Sequence, residues 1–403
     1  MKTIIILGGA HHQIPVIKKS KEPGHYVITC DYLPNNPGHK LSDKYYNAST
    51  RDKEKILEIA KENNADGIIA YASDPAAPTA AFVSEKLNLP GNSYNSVNTL
   101  ARKDLFRNFL KENNFNHPDF EIFEDAKDAY QFSKSTDLPV FVKPVDSSGS
   151  KGVSKVTSEK TLETAINNAF EESFCKKIII EKMINKEGPQ VAGDGLVIDC
   201  KLKFRYWGNE NFTERVNGLV PIGQTFPTTV SENLLEKAEI KANEIFTALN
   251  FKNGCVNFDF IFDKNGDVYF LEIGPRNGGC RIPEVIKYGT KVDLIDATIS
   301  LALGEEFNFE ECKSNSYFTS YMIHSEKHGV MEDIKFSEEI QKHILEKHVY
   351  IHRGESVNAY TGSNKTIGEL ILQFKNLKKM QSIYHNMTKH IRISLILFLF
   401  ELQ

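Results

Sequence analysis

Asp259 and Glu272 are the residues whose types and spacing promise chemistry. Each lies in a short apolar run, and the two runs flank Asp263-Lys264-Asn265-Gly266-Asp267. Asn-Gly between alternating apolar residues is a strong hairpin signal. With Asn265-Gly266 as a two-residue turn, Asp259 falls directly across from Glu272. Val256, Phe258, Phe260, Phe262, Tyr269, Leu271 and Ile273 then share the other face, which must be core. Carboxylates opposed in a sheet repel each other. A hard divalent cation over them removes that cost, because Mg²⁺ takes carboxylate oxygens. The turn that follows, Gly274-Pro275-Arg276-Asn277-Gly278-Gly279, projects an arginine beside the pair. An ordinary wet hairpin would instead leave both carboxylates as solvated charges, and a one-residue slip would separate them.

Three further stretches carry charge in useful places. The first runs from Val140 through Lys143 and Pro144 into Asp146-Ser147-Ser148-Gly149-Ser150-Lys151-Gly152. A strand delivers the lysine, and small residues let backbone N–H groups approach phosphate oxygens. The Walker A spacing is absent, and a strand rather than a helix follows. The second is Ile178-Ile179-Ile180-Glu181-Lys182-Met183-Ile184, an apolar strand with a charged and then apolar end that suits an adenine edge and face. The third is Lys103, on a helix ahead of the serine-glycine loop. Only nine of the 49 basic residues are arginine, yet Arg276 and Arg281 both sit near the carboxylates. A planar, bidentate guanidinium is what such a site would use.

The elements that must position these residues start with an alternating βαβα pattern. Residues 2–7, 26–30 and 67–70 read as strands, and 13–19, 52–62 and 76–87 as helices. That pattern implies a doubly wound parallel sheet. Ligands bind outside the strand C-termini of such sheets, where Gly8, Gly9, His11, Gln13, Asp31 and Asp74 fall. Gly8 through Gln13 does not match G-x-G-x-x-G, so no nicotinamide dinucleotide is expected. One helix is expected over 96–112, and antiparallel strands over 190–197, 200–206 and 213–219. A long helix at 231–249 leads into the hairpin. Beyond residue 315 the pattern predicts strands at 317–324 and 349–352 and a helix near 367–377.

In this order and at these separations the pieces resemble the ATP-grasp superfamily. The resemblance rests on the helix lysine, the K-P-x-D-S-S-G-S-x-G-V run, the I-I-E-K hinge and the D-F…E-I-G-P-R-N-G-G hairpin, and it covers about residues 1–310. Within the superfamily the chain looks like the carboxylate–amine ligases of the purine-biosynthesis, biotin carboxylase and carbamoyl-phosphate synthase large-chain subgroup. The implied fold class is α/β and α+β. A doubly wound N-terminal domain (1–95) precedes a two-lobed ATP-grasp domain (96–310, small lobe about 120–185), followed by a C-terminal α+β piece (311–403). The resemblance implies ATP and Mg²⁺ or Mn²⁺ as cofactors. Lys103 and Lys143 would contact phosphates, with Ser147, Ser148, Gly149, Ser150 and Gly152 covering them. Glu181, Lys182, Met183 and Ile184 would hold adenine, and Glu187 the ribose. Asp259, Glu272 and Asn277 would be metal ligands, and Arg276 and Arg281 catalytic. Asp259 stands where glutamate is commoner, and Gly274 where asparagine is frequent.

The implied reaction joins a small-molecule carboxylate to an amine through an acyl phosphate. Two alternatives stay open: a purine-type enzyme acting on a ribonucleotide or bicarbonate, and an ATP-binding sensor without catalysis. A formal charge of -4 gives no nucleic-acid footprint. No run is long enough for a membrane span, and the apolar 394–400 stretch is too short. Six scattered cysteines without a CxxC read as free thiols in a reducing, cytoplasmic setting. The histidines of the tail (His324, His328, His343, His348, His352) read as a solvated face. The tail is expected to complete the acceptor site or a homodimer interface.

Overall fold

The structure is a computed structural model describing residues 1–134 and 136–397. Four parallel strands, β1 (Thr3–Leu7), β2 (Tyr26–Asp31), β3 (Lys44–Asn47) and β4 (Gly67–Ala70), form the first sheet in the order β3-β2-β1-β4. β1, β2 and β4 are almost wholly buried, as a sheet covered on both faces requires, and β3 is a half-exposed edge strand. Their C-terminal ends carry Gly8, Gly9, Asp31 and the Tyr71–Asp74 turn.

The expected single helix over 96–112 is two helices, Tyr94–Ala101 and Lys103–Glu112. The break is Arg102, which is extended at φ -117° and ψ 123°. It places Lys103 in the first turn of the second helix, where its backbone N–H bonds to Val145 O at 2.9 Å.

The small lobe is the antiparallel sheet of β5 (Phe120–Phe123), β6 (Val140–Pro144), β7 (Ser154–Val156) and β8 (Ile178–Lys182), in the order β5-β8-β6-β7. The helices Ala126–Lys134 and Leu162–Glu172 contribute to its core, with Ala129, Leu162, Ala165, Ile166 and Ala169 buried.

The large lobe is built on eight strands. They are β9 (Lys186–Ile198), β10 (Lys201–Asn211), β11 (Gly223–Phe226), β12 (Gly254–Asp263), β13 (Val268–Gly274), β14 (Tyr317–Ile323), β16 (Ile344–Val349) and β18 (Gly368–Phe374), counting β15 (Gly329–Phe336) and β17 (Ser356–Val357) between them. The order is β13-β12-β9-β10-β11-β14-β18-β16. Three strands of the tail thus extend the sheet that carries the hairpin, and no sheet boundary falls at residue 310. β15 and β17 pair in a smaller sheet with β19 (Ile391–Ile396). The rest of the 394–400 stretch, from residue 398, lies outside the described residues.

Four expectations change here. The strand expected at 349–352 lies earlier, as β16, and residues 350–352 are loop. Residues 213–219 are turn and loop, and the strand in that region is β11. Residues 368–374 are a strand, not a helix. β18 is paired on both edges and is almost continuously buried, so the alternation that distinguishes a strand is missing. The hairpin register also carries a correction. Asp259 pairs with Glu272 as expected, but Phe260 pairs with Phe270, leaving Leu271 as one extra residue on β13. A bulge of this kind flips the alternation beyond it. Val268 and Phe270 therefore enter the core in place of Tyr269 and Leu271. The loop has three residues, 264–266, with Gly266 at φ +76° closing it. A turn followed by a left-handed residue is the usual three-residue hairpin solution.

Phe258, Phe260, Phe262, Phe270 and Trp207 stack edge-to-face or tilted beneath this hairpin, with Phe246 of the Glu232–Leu249 helix and Phe251 just after it behind them. Phe260→Ala should therefore cost about 3–5 kcal/mol. A denaturant titration measures it, and a loss under about 1 kcal/mol would contradict this packing.

Candidate active site

The bulge that separates Asp259–Glu272 from the rest of the hairpin leaves backbone carbonyls facing one buried cation. Arg107 is fully buried. It donates to Leu271 O at 2.9 Å and Phe270 O at 3.4 Å, and its Nε lies 2.7 Å from Glu181. The other Glu181 oxygen accepts from Lys143 Nζ at 2.6 Å. The hinge strand of the small lobe and the carboxylate hairpin are thus joined through one guanidinium. Burial alone would raise the Glu181 pKa, but Arg107 and then Lys143 outweigh it and bring it down to about 2. Glu181 therefore aims at Lys143 and Arg107, and positions them. Lys182 is exposed, Met183 and Ile184 are half-buried, and Glu187 is exposed on β9.

Lys103 joins three constellations that are far apart in the chain. Its Nζ lies 3.3 Å from Glu272 and donates to Ser147 O at 3.1 Å. The serine-glycine loop holds Gly149, Ser150 and Gly152 at φ +67°, +60° and +69°. Ser150 Oγ donates to Leu219 O at 2.8 Å, so the loop is seated on the large lobe. Asp146 anchors its other end by accepting from Cys175 N at 2.8 Å and Phe174 N at 3.1 Å. Ser148 lies within the same loop.

Asp259 has a second acidic neighbour that sequence reasoning missed. Gln190 Nε2 donates to Asp259 at 2.7 Å and to Glu210 at 2.8 Å, bridging the two carboxylates. Burial and then the Glu272 charge push Asp259 up to about 7. Burial and then Asp259 push Glu210 up as well. Burial also acts to raise Glu272, but Lys103, followed by Arg276, outweighs it, so Glu272 stays below its ordinary value. Asp194, fully buried on the neighbouring strand, is raised to about 7 by burial, against two bonds from Gly278 N and one from Asn257.

Arg276 reaches back to the N-terminal domain, donating to Asp74 at 2.6 Å. Asn277 and Arg281 do not join the carboxylates. Asn277 is fully buried, accepts from Thr298 Oγ1 at 2.6 Å and donates to Leu294 O at 3.4 Å. It anchors the turn to the 294–302 helix and is not placed as a metal ligand. Arg281 donates to Glu369 at 3.0 Å, Glu284 at 2.9 Å and the Tyr350 hydroxyl at 3.1 Å. Its guanidinium is occupied away from the hairpin, because acidic groups of the 282–290 helix and β18 surround it. Nothing local marked Arg107, Glu210 or Gln190 in the sequence beyond their charge or polarity.

Among the described residues no group of three or more His, Cys, Asp or Glu forms a metal cage. Mg²⁺ does not need one, since it is held by one or two carboxylates together with water and phosphates. Two opposed carboxylates, one of them raised by its neighbours, fit that chemistry.

These shifts have opposite pH signatures. Asp259 and Asp194, raised to about 7, make stability fall as pH climbs from the ordinary carboxylate range to about 7. Glu181, lowered to about 2, makes stability fall as pH drops from the ordinary range toward about 2. Without divalent cation, Tm should therefore peak in mild acid. Asp259→Asn should raise Tm at neutral pH and flatten the descent, because it removes like-charge repulsion while Gln190 keeps an acceptor. A melting series against pH checks this, and an unchanged or lower neutral-pH Tm in the variant would contradict it.

The D-ala D-ala ligase C-terminus family matches residues 106–284. A carbamoyl phosphate synthase large chain from a Thermoanaerobacter species is 28% identical over 262 residues, 63% of this chain and 23% of that protein. The chain thus spans about a quarter of the length of the curated relatives it matches first. A formate-dependent phosphoribosylglycinamide formyltransferase from Prochlorococcus marinus is 25% identical, over 68% of this chain and 70% of that one. Among solved structures, an L-amino acid ligase from Bacillus licheniformis has a TM-score of 0.81 at 21% identity, covering 98% of this chain and 99% of that one. A phosphoribosylglycinamide synthetase from Anaerococcus prevotii has a TM-score of 0.77 at 22% identity, covering 98% and 100%. Likeness of this extent, on the hairpin, loop and hinge described above, shows that the chain has the ATP-grasp fold.

Proposed function

We propose that this chain is an ATP-dependent ligase that activates a carboxylate as an acyl phosphate and joins it to an amine. The observation that carries the reading is Lys103. It brings the metal-type carboxylate Glu272 and the serine-glycine loop within 3.3 Å and 3.1 Å of one ammonium group. That is where the γ-phosphate of ATP would lie. Phosphoryl transfer is mainly positioning and charge stabilisation. Lys143, held in place by Glu181, would neutralise a phosphate oxygen from the small lobe. Ser147 through Gly152 would cover the phosphates with backbone N–H groups. Met183 and Ile184 would pack adenine, Lys182 would lie at its edge and Glu187 at the ribose. Asp259 and Glu272 would hold Mg²⁺, which would offset the charge of the phosphates. Arg276 would stabilise the oxyanion formed when the amine attacks the acyl carbon and phosphate departs. Asp74 keeps that guanidinium oriented.

The comparisons support this reading. The neighbours include an L-amino acid ligase and enzymes of phosphoribosylglycinamide chemistry. A phosphorylated substrate draws some support from a cleft of about 170 Å³ lined by Arg51, Lys53 and Arg102. Each of these cations already has a partner, however. Arg51 lies over Phe174 and beside Asp146, Arg102 pairs with Asp104, and Lys53 donates to Tyr94.

The test is ADP release from Mg²⁺-ATP against crossed pools of carboxylates and amines, with the carboxylate labelled in heavy oxygen. Transfer of one label into inorganic phosphate, dependent on both substrates, is the expected result. Glu272→Ala and Lys143→Ala should each cost roughly 10²–10³ in kcat. ATP binding without any acceptor-dependent ADP release would contradict the reading and favour a sensor. Unchanged turnover in Glu272→Ala would remove the metal assignment.

A further inference from the structure

Arg281 is enclosed by more negative charge than it can neutralise. One guanidinium faces two carboxylates, Glu284 and Glu369, at 2.9 Å and 3.0 Å. Glu369 is fully buried, and its second oxygen has no hydrogen-bond donor, with His12 Nδ1 at 3.5 Å as its nearest ionic contact. Formally the two carboxylates carry one negative charge more than Arg281 supplies, and His12 is the remaining basic group beside them.

A cleft opens beside this cluster, between His12, Tyr71 and Ala72 of the N-terminal domain and Gly278 through Arg281 and Glu284 of the large lobe. Its free volume of about 10 Å³ fits roughly one water-sized group. Tyr71 lines the cleft with a hydroxyl that has no partner, although the residue is only 2% exposed. An unmade bond on a buried polar group costs free energy, and a ligand that supplies it recovers that cost. The cleft lies close in the chain to the Asp74–Arg276 pair. Ala72 lies two residues before Asp74, and Gly278 two residues after Arg276, the pair joined at 2.6 Å.

We propose that this cleft is a subsite for the primary ammonium group of a small substrate, with Glu284 as counter-charge and the Tyr71 oxygen as second acceptor. A primary ammonium is water-sized, cationic and donates three bonds. An anion is disfavoured there, because each of the three Arg281 nitrogens already donates to Glu369, Glu284 or Tyr350. The inference rests on the ligase reading for its catalytic meaning, but binding tests it separately.

The experiment compares thermal shifts of the full chain with a pool of the common L-amino acids at millimolar concentration and with the same pool N-acetylated. Free amino acids should raise Tm and acetylated ones should not. Glu284→Gln, and Tyr71→Phe as a variant that removes the second acceptor, should lose or weaken that response while keeping the shift given by Mg²⁺-ATP, which confirms that both fold. In turnover, Glu284→Gln should raise the amine KM at least about tenfold and leave the ATP KM within about twofold. An equal response to acetylated amino acids, or a response retained in Glu284→Gln, overturns the subsite. An amino-acid response lost in a Glu284→Gln protein that still melts cooperatively near the wild-type temperature, with no Mg²⁺-ATP shift in any protein, supports the subsite and overturns the ligase reading instead.

Discussion

Repulsion between Asp259 and Glu272 is the constraint around which this molecule is arranged. Sheet register sets them opposite each other, and Gln190 brings Glu210 alongside Asp259. Three carboxylates so close oppose folding unless charge of the other sign is supplied. The protein supplies it asymmetrically. Lys103 and Arg276 lie near Glu272, which stays ionised, whereas Asp259 and Glu210 hold their protons to higher pH. One side of the site is thus compensated by the chain, and the other is left for a cation to complete.

The same economy of charge ties the lobes together. Arg107 satisfies the carbonyls exposed by the bulge and also holds Glu181, which in turn holds Lys143. Breaking one member of such a buried set leaves another charge unpaired, which is far more costly than losing a surface pair. The adenine-side strand, the phosphate lysine and the metal-side hairpin are therefore coupled through one side chain. The break at Arg102 does similar service by setting Lys103 in the first turn of its helix, with its ammonium between Glu272 and the loop.

Much of this was legible in the residues. Alternating apolar positions and Asn265-Gly266 marked the hairpin, but Asp259 faces Glu272 because the bulge at Leu271 offsets a loop one residue longer than the expected turn; the lysines and glycine loop were placed by type and order. The bulge at Leu271 was not legible, because a leucine at an alternating position reads as core. Arg107 was hidden because an arginine among Leu105, Phe106 and Phe109 reads as a helix's wet face, and its partners are 74 and 164 residues away. Asn277 and Arg281 stood in the right stretch of chain but turn toward Thr298 and toward Glu369, contacts that only the tertiary fold creates. β18 was read as a helix because burial on both faces erases a strand's period.

The most direct test of the central claim is calorimetric titration of ATP with Mg²⁺ and in excess chelator, for the wild type and Glu272→Gln. If the opposed carboxylates exist to share a divalent cation with the nucleotide, Mg²⁺ tightens ATP binding to the wild type by at least about tenfold and the variant loses most of that difference. Equal ATP affinity with and without the cation in the wild type, or an undiminished Mg²⁺ effect in Glu272→Gln, would contradict it.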